Sequence, residues 1–445
     1  MKRRRAGLLF LRKQSAPALS LILLEMPERK IFMASFEEKL QEYARLLVEV
    51  GINLQPGQVL NLRSDVDCAP LARLCAEAAY ALGAKDVVLE WRDDALTRLR
   101  YLHADDSVFD QVYPWEQVRC DHLADLNAPY LVIIGSDPEA LAGVDPERIS
   151  RVNRSRYPAV KRYSDAQMAS RLQWCIGAYA TPAWAKKVFP GATQEQAIAQ
   201  LWDAIFDAVR IAGDGKAAQR WQAHIGEQKR VVDILNRYQF VSLHYQNALG
   251  TDFTVGLPQG HYWAGGAEPC RTIPGLEFVA NMPTEEVFTL PHRDQAEGRV
   301  YAAMPLALHG NLIENFYLDF KGGKIVDVHA EVGEEYLRQA IAIDEGACHL
   351  GEVALVPFHS PIRDTGILFY ETLFDENAAC HLAFGEAYPC LEGADGKSKE
   401  ELLALGVNDS ITHVDFMVGT ADLSITGRTA DGREVPVFVN GDFAF

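Results

Sequence analysis

Three short segments in the C-terminal half set carboxylates and imidazoles beside rigid apolar elements. In Asn281-Met282-Pro283-Thr284-Glu285-Glu286-Val287-Phe288, two carboxylates stand where a proline-led turn enters an apolar run. Successive side chains of a strand point to opposite faces, so Glu285 and Glu286 diverge and at most one of them joins a common site. Gly351-Glu352-Val353-Ala354-Leu355-Val356 puts a single carboxylate at the mouth of an apolar strand. His413-Val414-Asp415 sets an imidazole and a carboxylate two residues apart, hence on one face of one strand. Imidazole beside carboxylate suits Zn, Co or Mn. Each feature also has a plain structural alternative. A glutamate at a strand end is commonly a solvated rim residue, and a His-x-Asp pair is commonly a mutual hydrogen bond. Residue types and spacing alone reach a candidate metal site and leave both readings open.

Other chemistries find less support. The chain holds no HExxH, no GxSxG, no GxGxxG and no GxxxxGK[ST]. Cys348-His349 and Cys380-His381 are sequence neighbours, and neighbours on a strand point apart, which argues against a thiol dyad. The formal charge of -18 over 445 residues disfavours nucleic acid and anionic membranes, both of which need a basic face. Eight cysteines without a CxxC pair fit reduced thiols in a cytoplasm. The first 32 residues differ from the rest, with eight Lys/Arg against Glu25 and Glu28. They are expected to be a disordered extension or a mis-assigned start. Ser35-Phe36-Glu37-Glu38 has the form of a capping box, so folding is expected to begin near residue 33.

The elements that must position these residues follow from periodicity. Residues 33–181 alternate helical and strand patterns, with short apolar runs at 59–62, 87–89 and 131–134, and predict an α/β domain with a mostly parallel sheet. Residues 182–240 read as a helical connection. Residues 241–445 read as a β-dominated α+β catalytic domain. Strands are expected there at 241–245, 253–255, 299–308, 312–320, 325–328, 353–356 and 413–418, with a helix over 332–344.

The same segments carry a further signal. From about residue 33 to the C-terminus the chain resembles the M29 family of metallo-aminopeptidases, the aminopeptidase T and aminopeptidase S group. The likeness is strongest in residues 281–288, in 351–356 together with 371–379 and His381-Leu382-Ala383-Phe384-Gly385, and in His413-Val414-Asp415. The resemblance implies metal ligands at Glu286, Glu352, His381, His413 and Asp415, with Tyr388 at the position of an active-site tyrosine. Three carboxylates and two imidazoles are too many for one tetrahedral ion and suit two ions sharing a bridge. Glu352, in the middle of the set, is the expected bridge. Glu285 has the chemistry of a general base, although strand alternation argues against it.

These assignments lead to a set of expectations. Two divalent ions (Zn, Co, Mn or Mg), roughly 3.5–4 Å apart, would hold a hydroxide that attacks the N-terminal peptide bond. Tyr388 would donate to the developing oxyanion. Peptides with a free N-terminus are the expected substrates and a cytoplasmic homodimer the expected state, with no nucleic-acid or membrane partner. The alternatives are a dinuclear hydrolase of another amide or dipeptide, and a non-catalytic oligomeric binding protein that keeps the fold.

Overall fold

Ser35 opens the first helix, Phe36–Leu46, and the expected capping box is complete: the Ser35 side chain accepts from the Glu38 N–H while Glu38 accepts from that of Ser35. The computed structural model describes residues 34–308, 311–394 and 396–445, so the basic N-terminal stretch lies outside the described residues. The first sheet is wholly parallel, in the order Asp86–Arg92, Val59–Asp65, Tyr130–Ile134, Trp174–Ala178. Its edge strand, Trp174–Ala178, was not anticipated from the sequence, because Gly177 interrupts the apolar run. That glycine is required by contact, since a Cβ there would press into Leu47 and the Tyr43 hydroxyl.

Three helices follow, Pro182–Val188, Gln194–Ala208 and Ala217–Tyr238. Trp184, Leu201, Trp202 and Trp221 bury against the parallel-sheet core, while Val231 and Leu235 of the last helix enter the core of the β-rich half. One helix thus belongs to both cores. The parallel sheet is joined to the second half by backbone as well: Met282 N–H donates to Ile176 O, and Ile176 N–H to Ala280 O.

The β-rich half contains a large antiparallel sheet and a smaller one. In the larger, the strand expected over 299–308 is two, Ala296–Tyr301 and Leu306–Leu308. Pro305 cannot donate a ladder hydrogen bond, and Ala303 N–H turns instead to Met417 O of the smaller sheet. The expected helix is shorter, Glu334–Ala340, because strand Lys324–Val332 runs up to Gly333, which turns at φ 77°.

The smaller sheet runs His413–Met417, His381–Gly385, Leu350–Leu355, Val287–Thr289, Ala264–Gly265, with every pairing antiparallel. Its register places Asp415 opposite Ala383, His413 opposite Gly385, Glu352 opposite Ala383, and His381 opposite Ala354. Directly opposed residues share a face and alternate residues repeat it. Glu352, His381, His413 and Asp415 therefore project from one face, across a floor made of Ala354, Ala383 and Gly385. Phe288 pairs with Ala354, so Glu286, two residues earlier, falls on that face and Glu285 on the other.

Candidate metal centre

The carboxylate and imidazole tips converge. Glu286 Oε2 lies 3.1 Å from His381 Nε2, and Glu352 Oε1 lies 3.6 Å from the same nitrogen. Glu352 Oε2 is 3.5 Å from His413 Nε2, with Asp415 Oδ1 at 3.2 Å. Ligand atoms form two groups, Glu286-Glu352-His381 and Glu352-His413-Asp415, each within 4.8 Å of one another. Glu352 belongs to both, one oxygen per imidazole.

The hydrogen-bond pattern tests whether these groups suit a cation. His381 Nδ1 is 3.1 Å from Ala379 O, and His413 Nδ1 is 2.7 Å from Glu386 O. A carbonyl oxygen only accepts, so each ring carries its hydrogen on Nδ1 and aims a lone pair from Nε2 at carboxylates. Acceptor facing acceptor holds together only with a proton or a metal ion between. Glu286 Oε2 is buried and makes no hydrogen bond despite its nearness to His381. The set fits divalent cations by both tests.

The electrostatics agree. Burial disfavours a charged His413, but Asp415 and Glu352 outweigh it and hold the imidazole up at about 10. His381 is likewise held well above the ordinary imidazole range: burial opposes its charge, and Glu286 and Glu352 prevail. Glu352 is raised, first by burial and then by the charge of Glu286. The cluster brings three carboxylates to two imidazoles, a donor set that suits divalent cations.

The sequence reading missed Glu376. It lies in the stretch 371–379 that carries the family resemblance, and only that membership could have flagged it. The residue is half-buried, and desolvation first, then the charges of Glu286 and Asp415, push its carboxyl well above the usual range. Tyr388 stands at the rim, its ring 6.1 Å from that of His413 and 6.2 Å from Phe288, both edge-on. Burial, followed by the charge of Glu352, raises its phenol and keeps the proton on. The hydroxyl makes no hydrogen bond among the described residues.

Glu285 faces elsewhere. Both its oxygens are taken by Arg210, at 2.7 and 2.9 Å, and its backbone N–H donates to Asn377 Oδ1 at 2.6 Å. A general base needs a free lone pair at the reacting proton; the Glu285 oxygens are engaged in an ion pair on the opposite side of the backbone.

The sequence profile of the thermophilic metalloproteases (M29) matches residues 36–443. The chain belongs to the M29 family. Among its M29 relatives, aminopeptidase 2 of Geobacillus stearothermophilus is 46% identical over 93% of this chain and 99% of its own. Aminopeptidase AmpS of Bacillus subtilis (strain 168) is 45% identical over 93% of this chain and 100% of its own. The structure of wild-type AmpT from Thermus thermophilus superposes with a TM-score of 0.85 at 40% identity, covering 92% of this chain and 100% of that one. As an M29 member the protein is a metalloprotease, a hydrolase that works with divalent metal.

Proposed function

We propose that this M29 protein is a two-metal aminopeptidase that releases the N-terminal residue of peptides, with Glu286, Glu352, His381, His413 and Asp415 as the metal ligands. The observation that carries the reading is Glu352, which turns one oxygen to each imidazole and so suits a bridge between two ions. Glu376, half-buried nearby, adds a further carboxyl whose proton is held by desolvation and by the charges of Glu286 and Asp415. When bound, divalent ions polarise the scissile carbonyl and lower the pKa of the attacking water from ~15.7 towards ~7.

The chain's own residues supply the rest. Ala379 O and Glu386 O fix the His381 and His413 tautomers by accepting from Nδ1, so both Nε2 atoms stay directed at the centre. Tyr388 keeps its phenolic proton and has a free donor to offer an oxyanion. Glu285 acts as an anchor for the strand that carries Glu286 rather than as the general base. The relatives' names, aminopeptidase 2 and AmpS, support an N-terminal peptide bond over another amide. The proposal extends to a cytoplasmic homodimer. Eight free cysteines suit a reducing compartment, and among the described residues no helix is long and apolar enough to cross a membrane.

Release of p-nitroaniline from aminoacyl p-nitroanilides tests the reading. Activity is expected with a free amino group, to vanish on chelation and to return with divalent metal. Equal turnover of N-acetylated substrate would exclude an aminopeptidase, and turnover indifferent to chelation would exclude the metal role.

A further inference from the structure

A second polar site lies in the α/β half. Arg63 of strand Val59–Asp65, Arg119 of helix Pro114–Asp125 and Arg156 of helix Pro146–Met168 converge on a cavity of about 150 Å³ that shares no residue with the metal centre. That volume holds several waters or one small ion. Two carboxylates attend the three guanidiniums. Glu90 accepts from Arg119 and lies 3.7 Å from Arg63 Nε and 4.0 Å from Arg156 Nη2; Glu116 lies 3.6 Å from Arg156 Nε. Positive charge is in excess here, within a chain whose net charge is -18.

Arg63 presents the free hydrogen-bonding edge of this cavity. Its Nη1 donates to the Tyr130 hydroxyl at 2.7 Å, while Nε and Nη2 are buried and make no hydrogen bond. Those two atoms form the side-on edge of the guanidinium, the fork that grips two oxygens of a carboxylate or phosphate. Glu90 is too far from Nε to fill it. Asn61, on the same strand face, gives its Nδ2 to the Tyr163 hydroxyl at 3.3 Å and leaves Oδ1 unpaired and buried. Buried unmet donors on a charged group are costly and rarely left without a partner. We propose that this cavity binds a small oxyanion, a phosphate or a carboxylate, on the free edge of Arg63 with Arg119 and Arg156 completing the charge.

Isothermal titration of inorganic phosphate into the metal-loaded full chain, at constant ionic strength, reads the site; acetate in a parallel titration separates a carboxylate ligand from a phosphate one. Arg63→Gln is expected to weaken the binding about 10-fold or more, since both fork contacts are lost together. Phosphate held at the metal centre is unaffected by this substitution, so the difference between the two proteins reports the cavity alone. Hydrolysis of an aminoacyl p-nitroanilide serves as the check on folding. Should Arg63→Gln fail to fold, Arg119→Gln on the more exposed helix gives the same comparison. A response to either anion that the substitution removes supports the site. Equal affinity in wild type and variant, or binding of neither anion, overturns it.

Discussion

Glu352 turns one oxygen towards each imidazole Nε2, at 3.6 and 3.5 Å, where a carboxylate would be shared between two cations. Glu352→Gln keeps the volume and removes the charge that two ions would share. Turnover should fall by ~10² or more, because the Lewis-acid contribution is several kcal/mol, and bound metal should fall below the wild-type stoichiometry by elemental analysis. Near wild-type activity would remove Glu352 from the centre. Tyr388 separates differently. If its hydroxyl meets the oxyanion, Tyr388→Phe lowers kcat and kcat/KM by the same factor, about 10²–10³, with metal content intact. Lost metal that excess metal restores would instead make the tyrosine a structural support of His413. Glu352 was flagged by its place at the mouth of an apolar strand, while Tyr388 was flagged only by the family resemblance. Glu376 was not: one carboxylate in a run of polar residues carries no mark until burial and the charges around it are known.

At the scale of elements, the segment that delivers Glu286 is clamped from behind. Arg210 grips Glu285 bidentately, His224 Nε2 lies 2.7 Å from Thr284 O, and Gln228 Nε2 donates to Thr284 O and Glu286 O. Removing one member of a buried ion pair costs about 3–5 kcal/mol, because the other charge is left unpaired. Arg210→Met should therefore destabilise the fold by roughly that amount in chemical denaturation, and Glu285→Gln in the same protein should recover part of it. Glu285→Gln alone distinguishes clamp from base. A general base contributes ~10²–10⁴ in rate, whereas the clamp predicts a stability loss with kcat within about tenfold of wild type. A collapse of kcat in a protein of wild-type stability would return Glu285 to the chemistry. The floor of the site was invisible in the sequence for a related reason. Ala383 and Gly385 read as ordinary strand residues, and only the register, which puts Ala383 between Glu352 and Asp415, shows that a larger side chain would fill the space.

For the whole molecule, the metal centre couples stability to pH with a definite sign. Without cations, His413 has a folded pKa of about 10, above the ~6.5 of an unfolded imidazole. Its contribution is fully present below about pH 6.5 and is lost as pH rises towards 10. Metal-depleted protein should thus lose Tm across that interval. In the loaded protein a cation replaces the proton, so metal affinity rises with pH and metal adds stability by mass action, ~2.7 kcal/mol at a hundredfold excess over Kd. The gap in Tm between loaded and depleted samples should widen from about pH 6.5 to 10 by calorimetry; a constant gap would show that His413 is not exchanging a proton for metal.

What the sequence determined by itself was local. Apolar period and capping chemistry, signals that act within a few residues, marked the first helix, three strands of the parallel sheet and about half the strands of the second half, but not the strand His381–Gly385. Alternation along one strand separated Glu286 from Glu285, and the two-residue spacing put His413 and Asp415 on one face. Tertiary structure decided the rest. Which strands pair, and in what register, depends on burial between segments far apart in the chain; that pairing carried Glu352, His381 and Asp415 to one face and set Arg210 against Glu285. The strand at Trp174–Ala178 and the break at 302–305 were settled the same way, by a glycine that only a neighbouring Leu47 and Tyr43 demand and by a backbone N–H that finds its acceptor in another sheet. Local physics names the donors, and long-range packing chooses which of them meet.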